Sequence, residues 1–198
     1  MIEKIFPLKI YKTSYNHDLR LLQNILTPFI DFDKTLLNNQ GSMRGEGVCS
    51  YVERRDLHKL DDFIPIVNFI IEHTIIYWKE LNYDISYKPF IEEMWYNVYK
   101  EGSFIDSHNH APRILTCSFY ISKESGTSNI VFENPLSTLL KHQPYYIDKN
   151  NYHRLFEEEV DAQSGDLIIF PGWLNHRTIK NNSTADRIMI GANICIER

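Results

Sequence analysis

The chain has 198 residues, 43% of them hydrophobic and 13% aromatic, with a formal net charge of −5. That length suits one domain, 1–198, able to bury roughly 70% of its unfolded surface, so folding needs no disulfides. The acidic balance supplies no basic field for nucleic acid, and the cysteines Cys49, Cys117 and Cys195, in no CxxC arrangement, argue against a disulfide framework.

The N-terminus MIEKIF brings charge at once and does not resemble a signal peptide. The most apolar run, FIIEHTIIYW, is short and contains Glu72 and His73, so a membrane span is not expected. These features predict a cytoplasmic protein without a membrane partner. Taken in chain order, IFPLKIYKTSY alternates as a first strand. Residues His17 to about Ile30 form a helical stripe (Leu19, Leu22, Ile25, Leu26) capped by Asn16. A longer helix is predicted from about Asp61 to Leu81, burying Phe63, Val67, Ile70, Ile71 and Trp78. Between them, Asn38 to Gly47 is rich in Asn and Gly and reads as an exposed loop.

Composition shifts near residue 88. Strands are predicted at Glu92–Tyr99, Ile114–Ile121, Asn129–Glu133, Leu155–Val160, Asp166–Phe170, His176–Lys180 and Arg187–Ile196. Asn134 to Tyr152 reads as a long polar loop with some strand in it. Short strands following helices predict a mainly β, α+β chain. Its helical support region is 1–88 and its β-sandwich or jelly-roll core 89–198.

Of eight histidines, His17, His58 and His73 lie in helical or loop segments without companions, and His142 and His153 fall in the long loop. His108 and His110 differ. Two residues apart in an extended segment, they project to one side and reach one ion together. His176 stands just past an apolar strand and the turn PGW, where a jelly-roll can bring a late strand beside an early one. Three histidines with coordination positions left open suit a divalent first-row metal.

The run MWYNVYKEGSFIDSHNHAPRILTCSFYI, then FENP, then SGDLIIFPGWLNHRTIKNNSTADRIMIGANI, resembles the 2-oxoglutarate/iron(II) oxygenases related to prolyl hydroxylases. The resemblance implies a double-stranded β-helix (jelly-roll), Fe(II), 2-oxoglutarate as cosubstrate, and dioxygen. It carries the first metal ligand onto His108 and the distal one onto His176. The middle position, usually a carboxylate, falls on His110. His110 is then a ligand in a three-His face, or Asp106 supplies the carboxylate from the other side of His108, or the position is empty. The resemblance also assigns Arg187 to the far carboxylate of 2-oxoglutarate, where a planar guanidinium makes two parallel hydrogen bonds. The hydroxyl residue often found two places later is replaced by Met189.

Alternation in RIMIGANI puts Arg187, Met189, Gly191 and Asn193 on one face. Thr116, Ser118 and Tyr120 share a polar face of their strand, and with Asn97 they are candidates for lining the cosubstrate site. Arg113 is a candidate substrate or supporting contact, whereas Tyr96 and Trp173 are expected to pack. The implied reaction couples decarboxylation of 2-oxoglutarate to hydroxylation of a small molecule or protein side chain, with the loops Asn38–Gly47 and Asn134–Tyr152 covering the site. A homodimer stays open as an assembly. Two competing readings are a three-His dioxygenase that does not use 2-oxoglutarate and a non-catalytic jelly-roll binding module. The absent carboxylate favours the second, and Arg187 opposes the first.

Overall fold

A computed structural model describes residues 8–33, 43–140 and 156–198. Eleven strands and three α-helices are assigned among them. Strand β1 (Tyr11–Ser14) leads into α1 (Leu19–Asp33), followed by the two-residue strands β2 (Met43–Arg44) and β3 (Val48–Cys49). Next come α2 (Ile64–Glu80), β4 (Lys88–Tyr99), β5 (Phe104–Ile105), β6 (Leu115–Ser122) and β7 (Ile130–Glu133). After α3 (Ser137–Leu140) the chain ends with β8 (Glu157–Val160), β9 (Asp166–Pro171), β10 (His176–Thr178) and β11 (Arg187–Glu197).

Six strands form the main sheet in the order β1-β9-β6-β11-β4-β3, and β10-β7-β8 and β2-β5 form two smaller sheets. All the pairings within these sheets are antiparallel. This is the mainly β, α+β jelly-roll that the strand spacing predicts. The central strands are buried on both faces. Met94, Tyr96, Leu115, Cys117, Phe119, Ile169, Ile188 and Ile190 face the helices, in one core with Leu22, Leu26, Ile66 and Ile70. Each such fully buried aliphatic side chain contributes about 1.5–3 kcal/mol relative to exposure. Trp95, Tyr99, Tyr120, Ile168, Phe170 and Met189 point the other way. They pack with Ile130 and Phe132 of the small sheet, and a cavity opens in this second layer.

Several boundaries differ from the sequence reading, each for a local reason. Helix α1 starts at Leu19 rather than His17, because the Asp18 carboxylate, and not Asn16, accepts the Arg20 backbone N–H at 2.9 Å. Residues Asp61–Phe63 form a 3₁₀ turn, and α2 begins only at Ile64. Pro65 then occupies its first turn, where the missing N–H costs nothing. Its buried side is Ile66, Ile70, Thr74, Tyr77 and Trp78, with Val67 and Ile71 only partly covered. Within the predicted loop Asn38–Gly47, Met43–Arg44 is a strand paired with β5, and Met43 is buried. The predicted loop after Asn134 begins with the helical turn α3. Residues 34–42 and 141–155, which include parts of both candidate covering loops as well as His142 and His153, lie outside the described residues. No helix among the described residues is long and apolar enough to cross a membrane.

Candidate metal and cosubstrate site

The site begins with a main-chain contact. His108 and His176 form an antiparallel bridge, each N–H donating to the other's carbonyl at 3.0 and 2.9 Å. Their side chains therefore emerge side by side. Two residues on, His110 donates its backbone N–H to Gly172 O at 2.6 Å. One nitrogen from each of the three rings lies within 4.8 Å of the others.

The tautomers follow from the neighbours. His108 Nδ1 is 2.8 Å from Asp106 O, and His176 Nδ1 is 3.0 Å from Leu174 O. A carbonyl only accepts, so each Nδ1 carries the proton and each Nε2 keeps its lone pair for a metal. Burial pushes all three imidazoles below the ordinary histidine range, His110 to about 4. They are neutral near pH 7, the form that binds metal. The Asp106 carboxylate, by contrast, is half-exposed, paired with Arg44 at 2.8 Å and outside the histidine cluster.

A pH dependence follows. Between the ordinary value of 6.5 and about 4, the unfolded chain takes up protons that folded His110 refuses. Stability from this source is therefore complete above about pH 6.5 and is lost as pH falls toward about 4. Denaturant midpoints of the metal-free protein are expected to drop over that window. The drop should be smaller in His110→Ala/His176→Ala, and equal slopes in both proteins would refute neutral buried imidazoles.

The histidines line a cavity of about 230 Å³ that also reaches Arg187, Asn97, Thr116 and Ser118. Arg187 is fully buried. Its Nη1 donates to Ser128 Oγ at 2.9 Å, its Nη2 lies 3.5 Å from the Met189 sulfur, and its Nε has no partner among the described residues. The guanidinium carbon lies 4.3 Å from the Tyr99 ring centre and 5.0 Å from that of Tyr120. No carboxylate pairs with it among the described residues. The Tyr120 hydroxyl is likewise buried, on the ring that flanks Arg187, and Asn97 Oδ1 is buried without a partner among the described residues. Thr116 Oγ1 is committed to Ala192 O at 3.0 Å.

Sequence reasoning thus named the three histidines, Arg187, Asn97, Thr116, Ser118 and Tyr120; all but Tyr120 line the one cavity, and Tyr120 lies against Arg187. It missed Ser128, which no local pattern marks. Tyr99 escaped as well: it stands two positions after Asn97 on β4, and alternation along that strand would have pointed to it. Trp95 was also missed: its indole stacks on His110 with centroids 5.7 Å apart. The indole lies over Gly191, where a Cβ would come 2.6 Å from Cζ2, so the close approach requires glycine. Tyr96 does pack, on the helix side, and its hydroxyl donates to Asp33. Trp173, expected to pack, is 48% exposed. Arg113 lines the cavity and is ion-paired with Glu92 at 2.5 Å and Glu93 at 3.3 Å.

Three convergent imidazoles and a buried guanidinium with no carboxylate partner among the described residues line one cavity of this jelly-roll, a set of groups able to hold a metal and an anion. The sequence family described as "Putative 2OG-Fe(II) oxygenase" matches residues 93–193, about half of the chain. The chain belongs to the 2-oxoglutarate/Fe(II) oxygenase family. No curated protein matches the sequence. Among solved structures, it is similar to a prolyl-4-hydroxylase of Pseudomonas putida (TM-score 0.58, 10% identity, covering 95% of this chain and 92% of that one). It is also similar to AviO1 of Streptomyces viridochromogenes (TM-score 0.62, 9% identity, covering 95% and 90%). A third is HygX of Streptomyces hygroscopicus, solved with nickel and 2-oxoglutarate (TM-score 0.58, 9% identity, covering 95% and 83%). At these identities the likeness is one of fold.

Proposed function

We propose that the protein is an Fe(II)- and 2-oxoglutarate-dependent dioxygenase that hydroxylates a small molecule or protein side chain. His108, His110 and His176 would hold the iron, and Arg187 the far carboxylate of the cosubstrate. The observation that carries this reading is the fully buried Arg187, which faces the histidines' cavity with no carboxylate partner among the described residues. An isolated buried charge is costly, and a bound dicarboxylate would supply the missing partner. HygX, solved with nickel and 2-oxoglutarate, supports the same pairing of ligands.

The residues present fit both groups. Two imidazoles are fixed by carbonyls with Nε2 free, and Arg187 Nε is a donor without an acceptor among the described residues. When bound, iron(II) with 2-oxoglutarate and dioxygen supplies oxidation of a substrate C–H bond, the cosubstrate leaving as succinate and carbon dioxide. The chain's own tasks are binding and exclusion. Arg187 orients a carboxylate by paired charge-assisted hydrogen bonds. Tyr99 and Tyr120 flank its guanidinium and keep water away, which strengthens those bonds. Trp95, stacked on His110, restricts the turning of that ring. The buried arginine also weighs against a metal dioxygenase that uses no dicarboxylate.

The test is an anaerobic titration of metal-free protein with iron(II) and then 2-oxoglutarate, followed through the weak visible charge-transfer band of the bidentate chelate. The band is expected to saturate, and admission of oxygen should then yield succinate. Iron binding without a band at saturating 2-oxoglutarate would sink the proposal.

A further inference from the structure

Two of the three histidines have a backbone carbonyl behind Nδ1, and the third has none among the described hydrogen bonds. A side-chain amide lines the cavity together with His110. Asn193, on β11, faces Glu93 across the β4–β11 ladder, and both are almost fully buried. The Asn193 Nδ2 group donates to Glu93 Oε2 at 2.7 Å. This fixes the amide, because only an NH₂ can face a carboxylate. The carbonyl oxygen, Oδ1, must then point the other way. It is buried and without a partner among the described residues, and Asn193 lines the histidines' cavity. The His110 ring lines this same cavity. Glu93 is itself anchored, by Arg113 at 3.3 Å, Arg55 at 3.3 Å and the Tyr51 hydroxyl at 3.3 Å.

We propose that Glu93 and Asn193 are positioning residues for the metal site, a carboxylate–amide relay that orients His110. In this relay Asn193 Oδ1 accepts the N–H of whichever His110 ring nitrogen does not bind the metal, and Glu93 holds the amide in the accepting direction. A ring hydrogen-bonded in this way is a stronger base and a better-oriented ligand. The relay gives the third histidine what backbone carbonyls give the other two. It also places a carboxylate one amide away from a site whose three ligands are all neutral. The inference rests on the metal reading of the histidine cluster.

Cobalt(II) serves as the probe, because its d–d absorption reports coordination without turnover. Wild type should bind cobalt(II), and Asn193→Ala should bind it about 10–100-fold more weakly, the range found for lost supporting hydrogen bonds. Glu93→Gln keeps an acceptor for Asn193 but removes the charge. It should weaken binding several-fold in the wild-type background and add nothing on top of Asn193→Ala, since the two act in series. Thermal melting of the metal-free variants separates a packing role, which would lower the melting temperature while leaving cobalt affinity unchanged. Should Asn193→Ala fail to fold, the Glu93→Gln affinity decides alone. Unchanged cobalt affinity in the folded variants, or additive losses in the double variant, overturns the relay and leaves the metal reading standing. Failure of wild type to bind cobalt(II) overturns both.

Discussion

Arg187→Met is expected to weaken 2-oxoglutarate binding by about 100-fold or more while leaving the melting temperature of the metal-free protein unchanged or higher. The two effects take opposite signs if Arg187 holds the cosubstrate, as proposed, rather than the fold. Truncating one partner of a buried, hydrogen-bonded charge pair costs about 2–5 kcal/mol, much of it from the charge left behind. In the variant, the cosubstrate carboxylate would be that abandoned charge. Without ligand the position reverses. The guanidinium is wholly buried, with one hydroxyl, one sulfur and two aromatic faces for company. Replacing a buried charge by an apolar side chain of similar length is often neutral or stabilising, and methionine adapts to irregular space beside aromatics. Saturating 2-oxoglutarate with metal should raise the melting temperature of wild type, by linkage, and not that of Arg187→Met. Wild-type affinity in the variant would show that the dicarboxylate binds elsewhere.

The proposed metal ligands can be separated just as sharply. His110→Ala and His176→Ala are each expected to lower iron(II) affinity by about 100-fold or more, and Asp106→Asn by less than about twofold. A four-ligand structural zinc site is worth about 10–16 kcal/mol, so one ligand is worth about 3 kcal/mol, or about 100-fold. Asp106 has a different occupation, in an exposed pair with Arg44, and such pairs contribute about 0–1 kcal/mol. The comparison is made by anaerobic competition against a chromogenic chelator. If Asp106→Asn lost as much affinity as His110→Ala, the carboxylate would have to swing into the site, and the three-His reading would fail.

Much of this site was legible because strands impose a period of two. In RIMIGANI, alternation alone puts Arg187, Met189, Gly191 and Asn193 together, and the fold lines the cavity with those four. The polar face of Thr116 and Ser118 was readable in the same way. What escaped depends on partners distant in sequence. Ser128 meets Arg187 across 59 positions, and nothing in its own neighbourhood announces that contact. Strand β2 is two residues long, too short for any periodicity, and exists because β5 pairs with it. Pro65 did carry a readable signal: a helix beginning at Asp61 would have needed the N–H that proline lacks, and the observed start at Ile64 avoids this. The Glu93–Asn193 pair was hidden differently, since each residue alone looks like an ordinary polar position on a strand.

The reciprocal bridge between His108 and His176 has a consequence for loading. Because the spacing of these two ligands is set by main-chain pairing, the conformational entropy of bringing them together is lost once, when the chain folds. Capture of the ion should then need little rearrangement of this half of the site. The amide protons of His108 and His176 should accordingly exchange with solvent as slowly before metal is added as after.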